Sequence, residues 1–125
     1  MSPGGAAGGG GAPVQSVALD SGGEARVVEH GRSDTAQFPA GRVVRSTLEP
    51  GWRWSRSVGP AVGAEYCTAP HLGYVVAGRM VIRMRDGSEY RYGAGDAYSV
   101  SSEPHDAWVE GAGQYVAIDV RASEP

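Results

Sequence analysis

Apolar residues in this chain gather in short runs, some with strict alternation, and almost never at the three-and-four spacing of a helix. No segment longer than about ten residues keeps apolar side chains at i, i+3, i+4 and i+7 without an intervening glycine or proline. The runs that read as strands are Arg26–Glu29, Val43–Leu48, Leu72–Val76, Arg79–Arg85, Ser88–Tyr92, Ala97–Val100, Ala107–Val109 and Tyr115–Val120. In the fourth, Met80, Ile82 and Met84 share one face and arginines take the other. Asp86-Gly87 predicts a two-residue hairpin, because both central positions of a type I′ turn need positive φ. Trp52 and Trp54 read as sharing one strand face. Short strands separated by Gly, Pro and Asp turns roughly every eight to twelve residues predict an all-β antiparallel sandwich or small barrel. Such a barrel encloses a pocket lined by alternate residues of each strand.

Composition narrows the picture. The chain has 125 residues, which predicts one domain. Residues 1–13, MSPGGAAGGGGAP, hold no side chain able to pack and predict a flexible tail ahead of a domain over 14–125. The tail has neither the basic start nor the apolar stretch of a signal peptide. No apolar run of about 18 residues is present, so no membrane span is expected. A net charge of −3 gives no general attraction to nucleic acid. All 11 basic residues are arginine, which points to a GC-rich coding background. Arg42, Arg45, Arg53 and Arg56 read as a solvated face. The single cysteine cannot staple the fold, so a reducing cytoplasm is the expected setting.

Two polar clusters carry the candidate chemistry. EYCTAPHLGYVVAGR, residues 65–79, holds Glu65, Cys67 and His71, and GDAYSVSSEPHDAW, residues 95–108, holds His105. Glu65 and Cys67 are two apart and would face the same way in a strand. His71 follows the Ala69-Pro70 break at the entry to the next strand, and His105 follows Pro104 in the same manner. A thiolate and two imidazoles, with Glu65 or a water as fourth partner, make a reasonable set for Zn²⁺, and Fe²⁺ or Ni²⁺ fit as well. Two other readings compete: Cys67 as a small buried core residue, or Cys67 as a nucleophile with His71 or His105 as base. Asp106 is the only evident orienting group for such a pair, and as the neighbour of His105 it should point the other way. His30 sits in a polar loop and takes no role.

These clusters resemble the two motifs of the cupin superfamily, G(X)5HXH(X)3,4E(X)6G and G(X)5PXG(X)2H(X)3N. Aligning Gly78 with the closing glycine of the first puts His71 at its glutamate, Cys67 at its second histidine and Glu65 at its first. Gly95 and His105 match the glycine and histidine of the second. The sequence departs from the pattern in both HXH histidines, in Ser101 and Glu103 at the second motif's proline and glycine, and in spacing one residue short. The strings GWRWS, C-x3-H-x-GYV-x2-GR and HDAWV are similar to small bacterial cupins in which Cys and His replace the usual ligands. The resemblance covers roughly residues 43–120. It implies a double-stranded β-helix (jelly-roll) barrel, a divalent metal ion held by Glu65, Cys67, His71 and His105, catalytic roles for Glu65, His71 and His105, and a homodimer.

The aromatics complete the expectation. Trp54, Tyr98 and Trp108 are candidates for the pocket wall, which would suit a small flat or apolar organic molecule. Lewis-acid isomerase, lyase or hydrolase chemistry follows, or oxygen chemistry with iron. The alternative is a non-catalytic barrel that binds or sequesters a small ligand or metal.

Overall fold

The computed structural model describes residues 12–123, so the expected tail lies outside the described residues except for Ala12 and Pro13. Nine strands run in the order β1 (Glu24–Val28), β2 (Gly31–Phe38), β3 (Gly41–Leu48), β4 (His71–Ala77), β5 (Arg79–Met84), β6 (Glu89–Gly93), β7 (Ala97–Val100), β8 (His105–Glu110) and β9 (Tyr115–Ala122). Two four-residue helical turns, α1 (Trp54–Ser57) and α2 (Gly59–Val62), stand between β3 and β4. The strands form a six-stranded sheet in the order β1-β2-β3-β9-β4-β7 and a three-stranded sheet in the order β6-β5-β8. All pairings are antiparallel. Leu48, Val75, Tyr98, Tyr115 and Ala117 of the first sheet pack against Met80, Ile82, Ala107 and Val109 of the second. The result is a jelly-roll β-barrel with one apolar core.

The predicted runs became strands where alternation was strong. Met80 and Ile82 point into the core with Met84 packed beside them, and Val81 on the opposite face is fully buried as well. Strand β2 carries no such alternation, because it is GRSDTAQF. Its place is fixed by pairing with β1 on one side and β3 on the other. Asp34, only 1 % exposed, takes an apolar residue's position there by pairing with Arg32 at 2.7 Å and with Arg45 at 3.5 Å. A polar residue at a buried strand position erases the period on which strand prediction rests.

Two local expectations are corrected. The β5–β6 connection is not a type I′ turn: Gly87 has φ +93°, but His30 is the one positive-φ non-glycine among the described residues, so Asp86 is excluded. The Gly87 N–H closes the turn on the Met84 carbonyl, and the Asp86 carboxylate accepts from the Ser88 N–H and hydroxyl instead. Trp52 and Trp54 do not share a strand face. Pro50-Gly51 breaks the chain after β3, with Gly51 at φ +101°, and Trp54 opens α1.

A candidate metal centre

Cys67 and His105 face each other as a bridged pair: each backbone N–H donates to the other's carbonyl, at 2.8 and 3.0 Å. This exchange of bonds sets both side chains on the same side of the bridge. His71 begins β4 after Pro70, and its ring meets that of His105 edge-on with centroids 5.7 Å apart. The Cys67 Sγ lies 3.6 Å from His71 Nε2. One donor atom from each of Cys67, His71 and His105 falls within 4.8 Å of the others.

Both imidazoles are held from behind. His71 Nδ1–H donates to Asp119 Oδ2 at 3.1 Å, and His105 Nδ1–H donates to the Glu103 backbone carbonyl at 2.8 Å. Carboxylate and carbonyl oxygens here can only accept, so each Nδ1 carries a proton, and Nε2 is the ring nitrogen left to face the cavity as a ligand once deprotonated. Asp119 reaches His71 because β4 pairs with β9 at Gly73↔Asp119, which makes His71 the diagonal neighbour. Tyr98 on β7 stands opposite the same Gly73, and its hydroxyl donates to Asp119 Oδ1. A Cβ at Gly73 would lie 2.5 Å from that hydroxyl. The missing side chain is therefore what lets Tyr98 cross β4 to reach β9.

The electrostatics follow from this packing. Burial alone pushes the Cys67 thiol up, but hydrogen bonds from His105, His71 and the Ala69 backbone outweigh it and bring it down to about 6. The Asp119 hydrogen bond and then that of Cys67 raise His71 to about 9. His105 is raised by Cys67 and by the Glu103 carbonyl, against burial. Burial, followed by Asp119, raises the Tyr98 phenol, so it stays a donor at neutral pH. With no ion bound, the trio is a thiolate between two imidazolium-prone rings, an arrangement that a divalent cation would replace.

These three groups line a cavity of about 90 Å³ in the barrel, together with Trp52, Trp54, Tyr92, Tyr98, Tyr115 and Asp119. That is room for a few water molecules or a small functional group. The indole N–H of Trp52 is buried with no protein acceptor among the described residues.

The expected residues distribute unevenly. Trp54 and Tyr98 are in the cavity wall. Trp108 is not: three positions past His105 along β8, it lies on the opposite face, where Arg53 stacks over it at 4.4 Å. Asp106, on that same outer face, accepts from the Ser55 N–H and hydroxyl and from Arg53, which anchors α1. Glu65 is exposed and stands outside the trio, because residues 65–66 form a bend and strand alternation does not hold there. Asp119 and Trp52 were missed. Asp119 was discoverable as the one acid in YVAIDV, in phase with Tyr115 and Ala117 on the inward face of β9.

A thiolate and two imidazoles converging on one point suit a zinc-like divalent ion. The anchored Nδ1 atoms are the outer hydrogen bonds that metal-ligating histidines make almost without exception. The donor set thus fits a metal, with Cys67, His71 and His105 as ligands and the cavity as the open side.

No protein-family model matches the chain, and no curated protein is similar to it in sequence. Solved structures do match. The polyketide cyclase RemF from Streptomyces resistomycificus is 15% identical, with TM-score 0.64 over 89% of this chain and 80% of that one. A sugar phosphate isomerase from a cupin superfamily, from Silicibacter pomeroyi, is 17% identical with TM-score 0.60 over 88% and 76%. An RmlC-like cupin from Shewanella frigidimarina is 16% identical with TM-score 0.56 over 82% and 85%. Among the described residues no helix is long and apolar enough to cross a membrane. By its architecture, this chain is a β-barrel of the cupin fold.

Proposed function

We propose that this protein is a metal-dependent enzyme acting on a small organic or aromatic molecule in a reducing cytoplasm, with Cys67, His71 and His105 as the ligands. The observation that carries this reading is the convergence of the three donors with both Nδ1 atoms anchored. A bound zinc ion, or iron or nickel in its place, would supply Lewis acidity towards a carbonyl, enolate or carboxylate oxygen. Asp119 fixes the His71 ring, and Tyr98 holds Asp119 from the other side. The aromatic wall restricts water around the reacting group. Two proteins of similar fold are named a polyketide cyclase and a sugar phosphate isomerase, which supports isomerase, lyase or hydrolase chemistry here, or oxygen chemistry with iron bound.

A second reading, a barrel that sequesters a metal or small ligand without turnover, has one observation in its favour. The cavity's carboxylate, Asp119, is already engaged by both His71 and Tyr98, so no free general base stands there.

The test is metal content. Tag-free protein purified without chelator should carry close to one equivalent of zinc, iron or nickel, retained in Glu65→Ala and lost in Cys67→Ala and His105→Ala. Metal-free native protein that takes up none of these ions would overturn the reading.

A further inference from the structure

The barrel is open between β6 and β7. Strand β6 ends the three-stranded sheet and β7 ends the six-stranded sheet, and neither pairs across the gap. A cleft of about 680 Å³ lies there, within the size range of small-molecule sites. Its floor is Ile82, Met84 and Val100, and its walls come from both edge strands, with Tyr90 and Tyr92 on one side and Ser99 on the other. Its acids are engaged locally: Asp86 accepts from Ser88, and Glu103 from Ser101. Arg85 lies 5.2 Å over the ring of Tyr66.

The cleft does not touch Cys67, His71 or His105, yet it shares two wall residues, Ile82 and Tyr92, with the inner cavity. The Tyr92 ring stacks on Tyr98 at 4.6 Å and 8°. Tyr98 borders the inner cavity and not the cleft, so the half-buried Tyr92 stands as the partition between the two spaces. At about 90 Å³ the inner cavity is smaller than the roughly 150 Å³ that holds benzene in an engineered apolar core. Anything larger must keep its body outside.

We propose that the seam cleft binds the body of the substrate, a flat aromatic molecule of two or more fused rings without net charge, whose oxygen-bearing end passes Tyr92 into the inner cavity. The apolar floor and aromatic wall favour a flat apolar body, and two carboxylates, Asp86 and Glu103, against the single Arg85 disfavour a sugar phosphate or polyanion. Tyr92 then acts as gate and stacking face, and Ile82 as the opposite jamb. The passage into the cavity rests on the metal-site reading; the cleft itself does not.

The probe is 2-naphthol, followed by backbone amide shifts in metal-free and zinc-loaded protein. Saturable shifts at Ser88, Tyr90, Tyr92 and Ser99 to Ser101 are expected in both forms. Ser99→Trp, a plug at an exposed position, should weaken binding at least tenfold with the rest of the spectrum intact, and Tyr90→Ala, also exposed, should weaken it severalfold. Absence of saturable cleft shifts, or affinities unmoved by both substitutions, overturns the cleft. Passage is tested with 2-naphthohydroxamic acid, which adds a metal-binding group to the same body. It should bind zinc-loaded protein at least tenfold tighter than 2-naphthol and lose that advantage without zinc. Equal affinity in protein shown to contain zinc overturns passage, whereas protein that takes up no zinc fails the metal reading and leaves the 2-naphthol result standing.

Discussion

Asp119 and His71 are joined diagonally across β4 and β9, carboxylate to Nδ1 at 3.1 Å, and this contact fixes how the imidazole faces the cavity. A carboxylate behind a histidine fixes its tautomer and raises its basicity. Asp119→Asn should therefore lower zinc affinity about 10- to 100-fold. Glu65→Gln should leave it unchanged. Competition against a chromogenic chelator checks both, and equal effects of the two substitutions would contradict the assignment.

Gly73 makes that arrangement possible. Because a Cβ there would meet the Tyr98 hydroxyl and the Ile118 carbonyl, Gly73→Ala should cost about 1–3 kcal/mol through overpacking. Urea denaturation measures it. A cost indistinguishable from zero would mean that β4 and β7 have slack at this crossing.

Metal binding should appear as stability. An ion that binds only the folded chain contributes about 2.7 kcal/mol at 100 times its Kd. For a domain of this size that is a rise in Tm on the order of 10 °C. Thermal unfolding with zinc, with zinc plus chelator, and with Cys67→Ala tests this: the rise should vanish in the last two.

Asp34 predicts an acid limb remote from the metal site. The Arg32 hydrogen bond, against burial, and then Arg45 hold its carboxyl below the usual value of 3.8. A depressed carboxylate stabilises the fold fully above its unfolded pKa, and that stabilisation fades as pH falls through the lower folded value. The native chain's advantage over Asp34→Asn should be flat above pH 5 or so and shrink below about 4. Urea midpoints across that range read it directly. An advantage that grows on acidification would contradict the pairing.

Much of this architecture was legible before any coordinates. Met80, Ile82 and Met84 announced β5 by strict alternation, and Cys67, His71 and His105 stood out because polar donors beside Pro70 and Pro104 are costly inside a small barrel. Trp108 was misplaced by proximity in sequence to His105, although parity alone puts it on the outer face of β8. Glu65 was misplaced for a related reason: alternation was applied to a bend. Strand β2 and the Asp119 contact were harder to see. Asp34 is buried through partners 2 and 11 residues away, and Asp119 meets His71 across 48. Pairings of that range are fixed by sheet register, which a local pattern does not encode.

The central claim is that Cys67, His71 and His105 bind one metal ion together. Cobalt substitution tests it most directly, because a thiolate bound to Co²⁺ gives a charge-transfer absorption in the near ultraviolet and a tetrahedral site gives intense visible bands. Metal-free protein titrated with Co²⁺ should develop both, saturating at one equivalent, with the ultraviolet band absent in Cys67→Ala and the visible bands collapsed in His71→Ala and His105→Ala. A titration that yields only the weak absorption of hexaaqua cobalt, or a spectrum unchanged by the three substitutions, would contradict it.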